Sequence, residues 1–230
     1  MRSPGAPFWG IAHNMTAARF PVPIRCGLTA ALALAVTAAP ALAQSAPERG
    51  VFVTQIGDGS EATITQQNSD SLARVVQEGD DNRVDLAQTG PAPQVARIAQ
   101  DGDSNRVDVV QDGIGTAELG LAQEGDANTA VVIQRENSAS AQSLAAILQR
   151  GNGNAVTLLQ DGSDNQASLS QIGDGNAMTA TQLDSGNRLE WAQSGDGLPD
   201  LMIVQSGGAN LQITQSNTGA QFAPPPSPGG

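Results

Sequence analysis

From Asn82 to Gln88 the chain alternates strictly. Asn82, Val84, Leu86 and Gln88 fall on one side of an extended backbone, and Arg83, Asp85 and Ala87 fall on the other. The same split sets Asn105, Val107, Val109 and Gln111 against Arg106, Asp108 and Val110. It recurs in the sets Asn154, Val156, Leu158, Gln160 and Asn165, Ala167, Leu169, Gln171. Period two over six or seven residues predicts strands, and helical spacing is absent from these segments. Between them lie clusters of Gly, Asp and Asn, with turn glycines at Gly57, Gly79, Gly102, Gly125, Gly151, Gly162, Gly173 and Gly195. Such clusters predict tight turns, because Gly reaches positive φ without steric cost.

The strands keep a beat. Gln recurs from Gln55 to Gln215 at intervals of 11 residues nine times, 12 three times, and 15 and 10 once each. Around most of these positions returns the phrase Q-x-G-x-x-N-x-[AV]-x-x-x-Q, as in Gln77-Glu78-Gly79-Asp80-Asp81-Asn82-Arg83-Val84. Repetition at a fixed short period is the mark of a solenoid. The expected fold is all-β: a two-sheet β-solenoid of about seven rungs over residues 51–217, each rung two strand–turn units of about 11 residues. The units beginning near Ser60, Asn82, Asn105, Asn128, Asn154 and Asn176 mostly start their strand with Asn. The alternate units start with Ser71, Ser143 and several departures until Asn165 and Asn187, so the two sides of the rung are expected to differ.

Stacked parallel strands lie about 4.8 Å apart, so each inward amide meets its copy one rung away and can both donate and accept. The expected amide ladder comprises Gln66, Gln77, Gln88, Gln100, Gln111, Gln123, Gln134, Gln149, Gln160, Gln171, Gln182, Gln193 and Gln205. Asn82, Asn105, Asn128, Asn154, Asn165, Asn176 and Asn187 join it. Low-complexity polar sequence without order would scatter its amides rather than phase them. Pro91, Pro93 and Pro199 fall in lengthened intervals, where a turn tolerates a missing N–H. The 15-residue interval holds Asn137-Ser138-Ala139-Ser140 and reads as a bulged loop. Trp191 falls on an inward position, which is tight for an indole and predicts a wider rung or a flipped strand.

Composition narrows the class. There is no Tyr, aromatics make up 3% of residues, and Gly numbers 26, so a core built on large side chains is excluded. Leu28 to Ala39 is an apolar run behind Arg19 and Arg25, closed by Ala41-Leu42-Ala43. That is the pattern of an export signal at 1–43, with Met15 as an alternative start and a short segment, 44–50, ahead of the repeats. Beyond Ala43 neither His nor Cys remains, and eight arginines face 23 acidic residues, a formal charge of −15. Disulfide stapling and His- or Cys-based catalysis are thereby excluded for the processed chain. An acidic chain without basic patches is also a poor ligand for nucleic acid, and none of it reads as a membrane span after processing. Residues 218–230 are rich in Pro and Gly and read as a disordered tail.

The repeated phrase resembles the curlin repeat of bacterial curli fibre subunits, in which strand–turn–strand units carry stacked Ser, Gln and Asn. The resemblance covers about Val51 to Gln215. It implies a major subunit or nucleator exported to the periplasm, passed through a dedicated outer-membrane pore, and polymerised head to tail at the cell surface. A second curlin-like subunit would be a further partner, and biofilm matrix and adhesion the roles. The chain departs from that family in having only Gln44 to Gly50 before the first strand and in its Pro-rich tail. No cofactor, metal or catalytic residue is expected. Paired turn acids such as Asp80 and Asp81 recur as a scaffold does, not as a singular site. Two other classes compete with the fibre. One is a calcium-binding β-roll using turns such as Asp101-Gly102-Asp103-Ser104-Asn105, although the G-G-x-G-x-D phrase is absent and Arg106 stands where an EF-hand needs Gly. The other is a monomeric solenoid adhesin.

Overall fold

A computed structural model describes residues 49–217. The expected export signal, residues 44–48 and the Pro-rich tail lie outside the described residues. Among the described residues there is no helix, and fifteen strands wind into two parallel sheets.

The first sheet holds the odd-numbered strands. These are β1 (Gly50–Ile56), β3 (Leu72–Glu78), β5 (Val95–Asp101), β7 (Thr116–Glu124), β9 (Gln142–Arg150), β11 (Gln166–Ile172), β13 (Arg188–Ser194) and β15 (Asn210–Ser216). The second holds β2 (Glu61–Gln66), β4 (Arg83–Gln88), β6 (Arg106–Gly113), β8 (Thr129–Glu136), β10 (Ala155–Ser163), β12 (Ala177–Ser185) and β14 (Ile203–Ser206). Each strand pairs with the one two places on in sequence, so the chain crosses between the sheets at every turn and climbs one rung every two strands. The solenoid expected from the Gln beat is the observed fold.

Register follows the beat. Gln55 is paired with Gln77, Gln77 with Gln100 and Gln100 with Gln123, and the second sheet matches Gln66, Gln88, Gln111 and Gln134 in the same way. Alternation along each strand then sorts side chains without exception at the core columns. One column runs Val75, Ile98, Leu121, Ile147, Leu169, Trp191, and the facing sheet supplies Leu86, Val109, Val132, Leu158, Ala180. These β-branched and aliphatic residues are buried and fill a narrow seam between the sheets.

Trp191 neither flips its strand nor shifts register: it lies between Leu169 and Ile213 and is fully buried. Room comes from across the seam, where the facing column narrows to Ala180 on β12, the strand wound between β11 and β13. Its indole N–H donates to Gln215 Oε1 at 2.8 Å, so the one polar atom of the ring is satisfied. Trp191→Phe should therefore keep the packing and cost only about 1 kcal/mol. Denaturant unfolding checks this; a loss as large as that of a ladder Gln would show that the indole N–H matters more than its geometry implies.

The arcs differ on the two sides. The first six arcs leading from the first sheet to the second are equal in length, and the seventh, between β13 and β14, is longer and holds Pro199. The return arcs vary in length and hold Pro91, Pro93 and the 15-residue interval.

Candidate functional site

The chemistry-bearing feature is the set of polar columns inside the solenoid. In the first sheet Gln55 Nε2 donates to Gln77 Oε1, and the series continues through Gln100, Gln123, Gln149, Gln171 and Gln193 to Gln215, at 2.7 to 2.9 Å. In the second it runs Gln66, Gln88, Gln111, Gln134, Gln160, Gln182, Gln205, at 2.6 to 2.9 Å. Every ladder bond points the same way, from the earlier rung to the later one. The second amide hydrogen crosses the seam to a carbonyl of the facing strand, as from Gln88 to Leu72 and from Gln160 to Leu144, both at 3.0 Å. Twelve of the thirteen ladder glutamines named from the sequence are buried, and Gln66, on the first rung, is half-buried.

Asparagines form a second kind of column at the start of the strands. Asn82 Oδ1 accepts the backbone N–H of Asn105, Asn105 that of Asn128, Asn128 that of Asn154 and Asn154 that of Asn176, each at 3.0 Å. On the return side Asn165 Oδ1 accepts from Asn187 N. All seven named asparagines are buried. The column ends where Leu198 takes the next place, and there Asn176 Nδ2 is left without a partner.

The turn glycines make a third column. Gly57, Gly79, Gly102, Gly125, Gly151, Gly173 and Gly195 all have positive φ and line the arcs from the first sheet to the second. A Cβ at any of the first six would collide with the carbonyl of the next glycine in the column. Gly162, expected in a turn, instead stands near the end of β10, paired in the ladder with Glu136 and Asp184 and in line with Gly113. The neighbouring Asp or Asn in the arcs from the first sheet to the second accepts the backbone N–H of its counterpart one rung earlier, from Asp58 on Asp80 to Asp174 on Asp196, at 2.7 to 2.9 Å. These carboxylates hold backbone. Among the described residues no group of three or more His, Cys, Asp or Glu is arranged to hold a metal ion.

Two buried residues escaped the sequence pattern. Gln94 closes the Pro91–Pro93 arc: its Oε1 accepts from Ala117 N at 2.7 Å and its Nε2 donates to Gly115 O at 3.1 Å. Glu136 is fully buried, and its carboxylate accepts from Ser138 N, Ser143 Oγ and Asp164 N. Gln94 stands in a lengthened return arc and Glu136 ends the strand that leads into another, and in each the long side chain reaches backbone of the arc. The stretched interval was the only signal of either.

Charges occupy the outer faces. Register places Arg83 beside Arg106 and Asp85 beside Asp108. Their repulsion is offset by pairs within and between rungs: Arg83 with Asp85 at 2.8 Å, Arg83 with Glu61 at 2.7 Å, and Arg106 with Asp108 at 2.8 Å. The hydrogen bond that Arg83 donates to Asp85, together with the charge of Asp85, raises the guanidinium above its ordinary value. A shallow, open depression over Thr63, Thr65, Asp85, Ala87, Asp108 and Val110 gathers no convergent set of catalytic groups. Among the described residues no helix is long and apolar enough to cross a membrane.

Asp200 fastens the last arc. Its carboxylate accepts from Thr179 N, Thr179 Oγ1 and Met202 N at 2.9, 2.6 and 2.9 Å. Burial pushes this carboxyl up, but the bonds from Thr179 and Met202 outweigh it and hold it below the ordinary carboxylate value. A lowered folded-state pKa gives stability that is complete above the unfolded value and is lost as pH falls through the folded one. Hydrogen exchange along β14, corrected for intrinsic rates, should quicken only in that acid window, and Asp200→Asn should remove the pH dependence. Loss of protection already near neutral pH would contradict this role.

The family model of the curlin associated repeat matches residues 142–173 and 151–183. No curated protein and no solved structure matches the chain. The matched stretch spans β9 to β12, and within it the interval of 11 residues is kept from Gln149 to Gln182, with Asn opening β10, β11 and β12. Parallel rungs, aligned glutamine columns and this match over residues 142–183 together support the curlin-repeat family for this chain.

Proposed function

We propose that this chain is an exported structural subunit that stacks on copies of itself into an extracellular, curli-like amyloid fibre serving biofilm matrix, adhesion and aggregation. One observation carries the reading: both amide ladders run unbroken through the solenoid and stop open at its two ends. At the first rung Gln55 Oε1 and Gln66 Oε1 receive no ladder donor. At the last, Gln205 Nε2 and Gln215 Nε2 donate only to backbone carbonyls across the seam or in the arc. Acceptors at one end and donors at the other suit head-to-tail addition and oppose head-to-head contact. The same ends expose apolar side chains, Val51, Phe52, Val53 and Ile56 at one and Leu201, Met202, Val204 and Leu211 at the other. Unpaired strand edges of this kind template further strands.

A curli-type outer-membrane pore and a second curlin-like subunit are the partners this reading assigns, and the family resemblance supports both. The test is assembly of purified residues 44–230. Dye-binding, detergent-resistant fibres that seed fresh protein are expected. A stable monomer at high concentration would favour an adhesin, and folding that depends on calcium would favour a β-roll; either would overturn the fibre.

A further inference from the structure

The fifteen strands make seven and a half rungs, and both the first and the last strand lie in the eight-stranded sheet. That half rung constrains how a second copy can dock. If the copy kept its orientation, its β1 would lie on β15. Its β2 would then stand two strand spacings from β14, about 9.6 Å rather than about 4.8 Å, leaving a strand-wide gap in the second sheet. If the copy is turned by half a turn about the winding axis, its β1 lies on β14 and its β2 on β15. The rung β14–arc–β15 then meets the rung β1–arc–β2 with both sheets continuous.

We propose that successive copies in the fibre are related by a half-turn, so that the eight-stranded sheet of one copy continues into the seven-stranded sheet of the next. The inference rests on the fibre reading and gives it a register. Gln205 would pair with Gln55 of the incoming copy and Ile203 with its Val53. Gln215 would pair with Gln66 and Ile213 with Ile64, each pair extending a column that already exists inside the chain.

Three features support the half-turn. Inside the solenoid thirteen strand pairs, each within one sheet, are parallel and matched Gln to Gln, and the half-turn keeps that parallel Gln-to-Gln pairing in both sheets across the junction. The two sides of the rung, unlike in the first half, become alike toward the docking end: intervals of 11 residues run from Gln149 to Gln193, and Asn165, Asn176 and Asn187 open strands of both sheets. No like charges meet. Glu61 of the incoming copy falls on Asn210, and the Asp58 arc falls on Gly207 and Gly208, which carry no side chains.

Thiol cross-linking distinguishes the two geometries, because residues 44–230 contain no Cys. In that chain T54C/V204C places outward thiols on adjacent strands of neighbouring copies only after a half-turn, and T54C/T214C does so only without one. Within one copy, residues 54 and 204 sit on the first and seventh rungs, in different sheets. Fibres of T54C/V204C should yield a ladder of covalent multimers on oxidation or with a short bismaleimide, and T54C/T214C fibres should yield almost none. Multimers from T54C/T214C, or from neither pair in well-formed fibres, would overturn the half-turn and leave the fibre reading standing. Failure of residues 44–230 to form fibres would overturn both.

Discussion

Gln160→Ala should destabilise the solenoid by on the order of 3 kcal/mol and slow seeded fibre growth, whereas Arg83→Ala should change stability little and leave growth close to normal. The difference is one of desolvation. Gln160 is fully buried and is the only ladder link between Gln134 Nε2 and Gln182 Oε1. Its truncation leaves a donor on the rung before it and an acceptor on the rung after it without ladder partners in the buried seam, at about 1–3 kcal/mol each. It also removes the bond to Leu144 O across the seam. Arg83 pairs with Asp85 and Glu61 on a face open to water, where solvent replaces lost partners. Removing it even relieves its like-charge neighbour Arg106. Denaturation midpoints and elongation rates measure both effects, and equal behaviour of the two variants would count against the ladder as the source of cohesion.

Gly102→Ala should be as damaging, at about 2–3 kcal/mol or more, for a reason of backbone rather than hydrogen bonding. Gly102 has φ +118°, and a Cβ there would run into the carbonyl of Gly125 on the next rung. The rung spacing is set by the strand ladders on both sides, so the arc cannot lift away without opening hydrogen bonds. Gly120 supplies the control. It lies within β7, has no positive φ, and has open space around an added Cβ. Gly120→Ala should raise stability by roughly 0.5 kcal/mol through the unfolded chain. A Gly102→Ala protein that unfolds with the parent would mean the arcs tolerate far looser stacking than their geometry implies.

Much of the architecture was legible because one signal was written many times. Alternation in Asn82–Gln88 gave the strand, the spacing of Gln77, Gln88 and Gln100 gave the rung, and parallel stacking followed because only an in-register ladder lets identical amides meet. What stayed hidden lay where the beat was stretched. Gln94 and Glu136 reach across enlarged return arcs, and nothing in their local sequence says that a long side chain folds back to cap backbone. Trp191 was misjudged for a different reason. Its fit depends on Ala180 across the seam, and facing pairs between two sheets leave no trace in a pattern read along one strand. The open ladder ends were likewise invisible, since bond polarity along the axis is a property of the folded column and not of the repeat.

The most direct measurement of the central claim is X-ray diffraction from aligned fibres of this chain. Rungs joined by Gln columns from one copy into the next predict a sharp meridional reflection near 4.8 Å with a broad equatorial one near 10 Å. An α-helical pattern, or aligned fibres with no meridional reflection at that spacing, would contradict it.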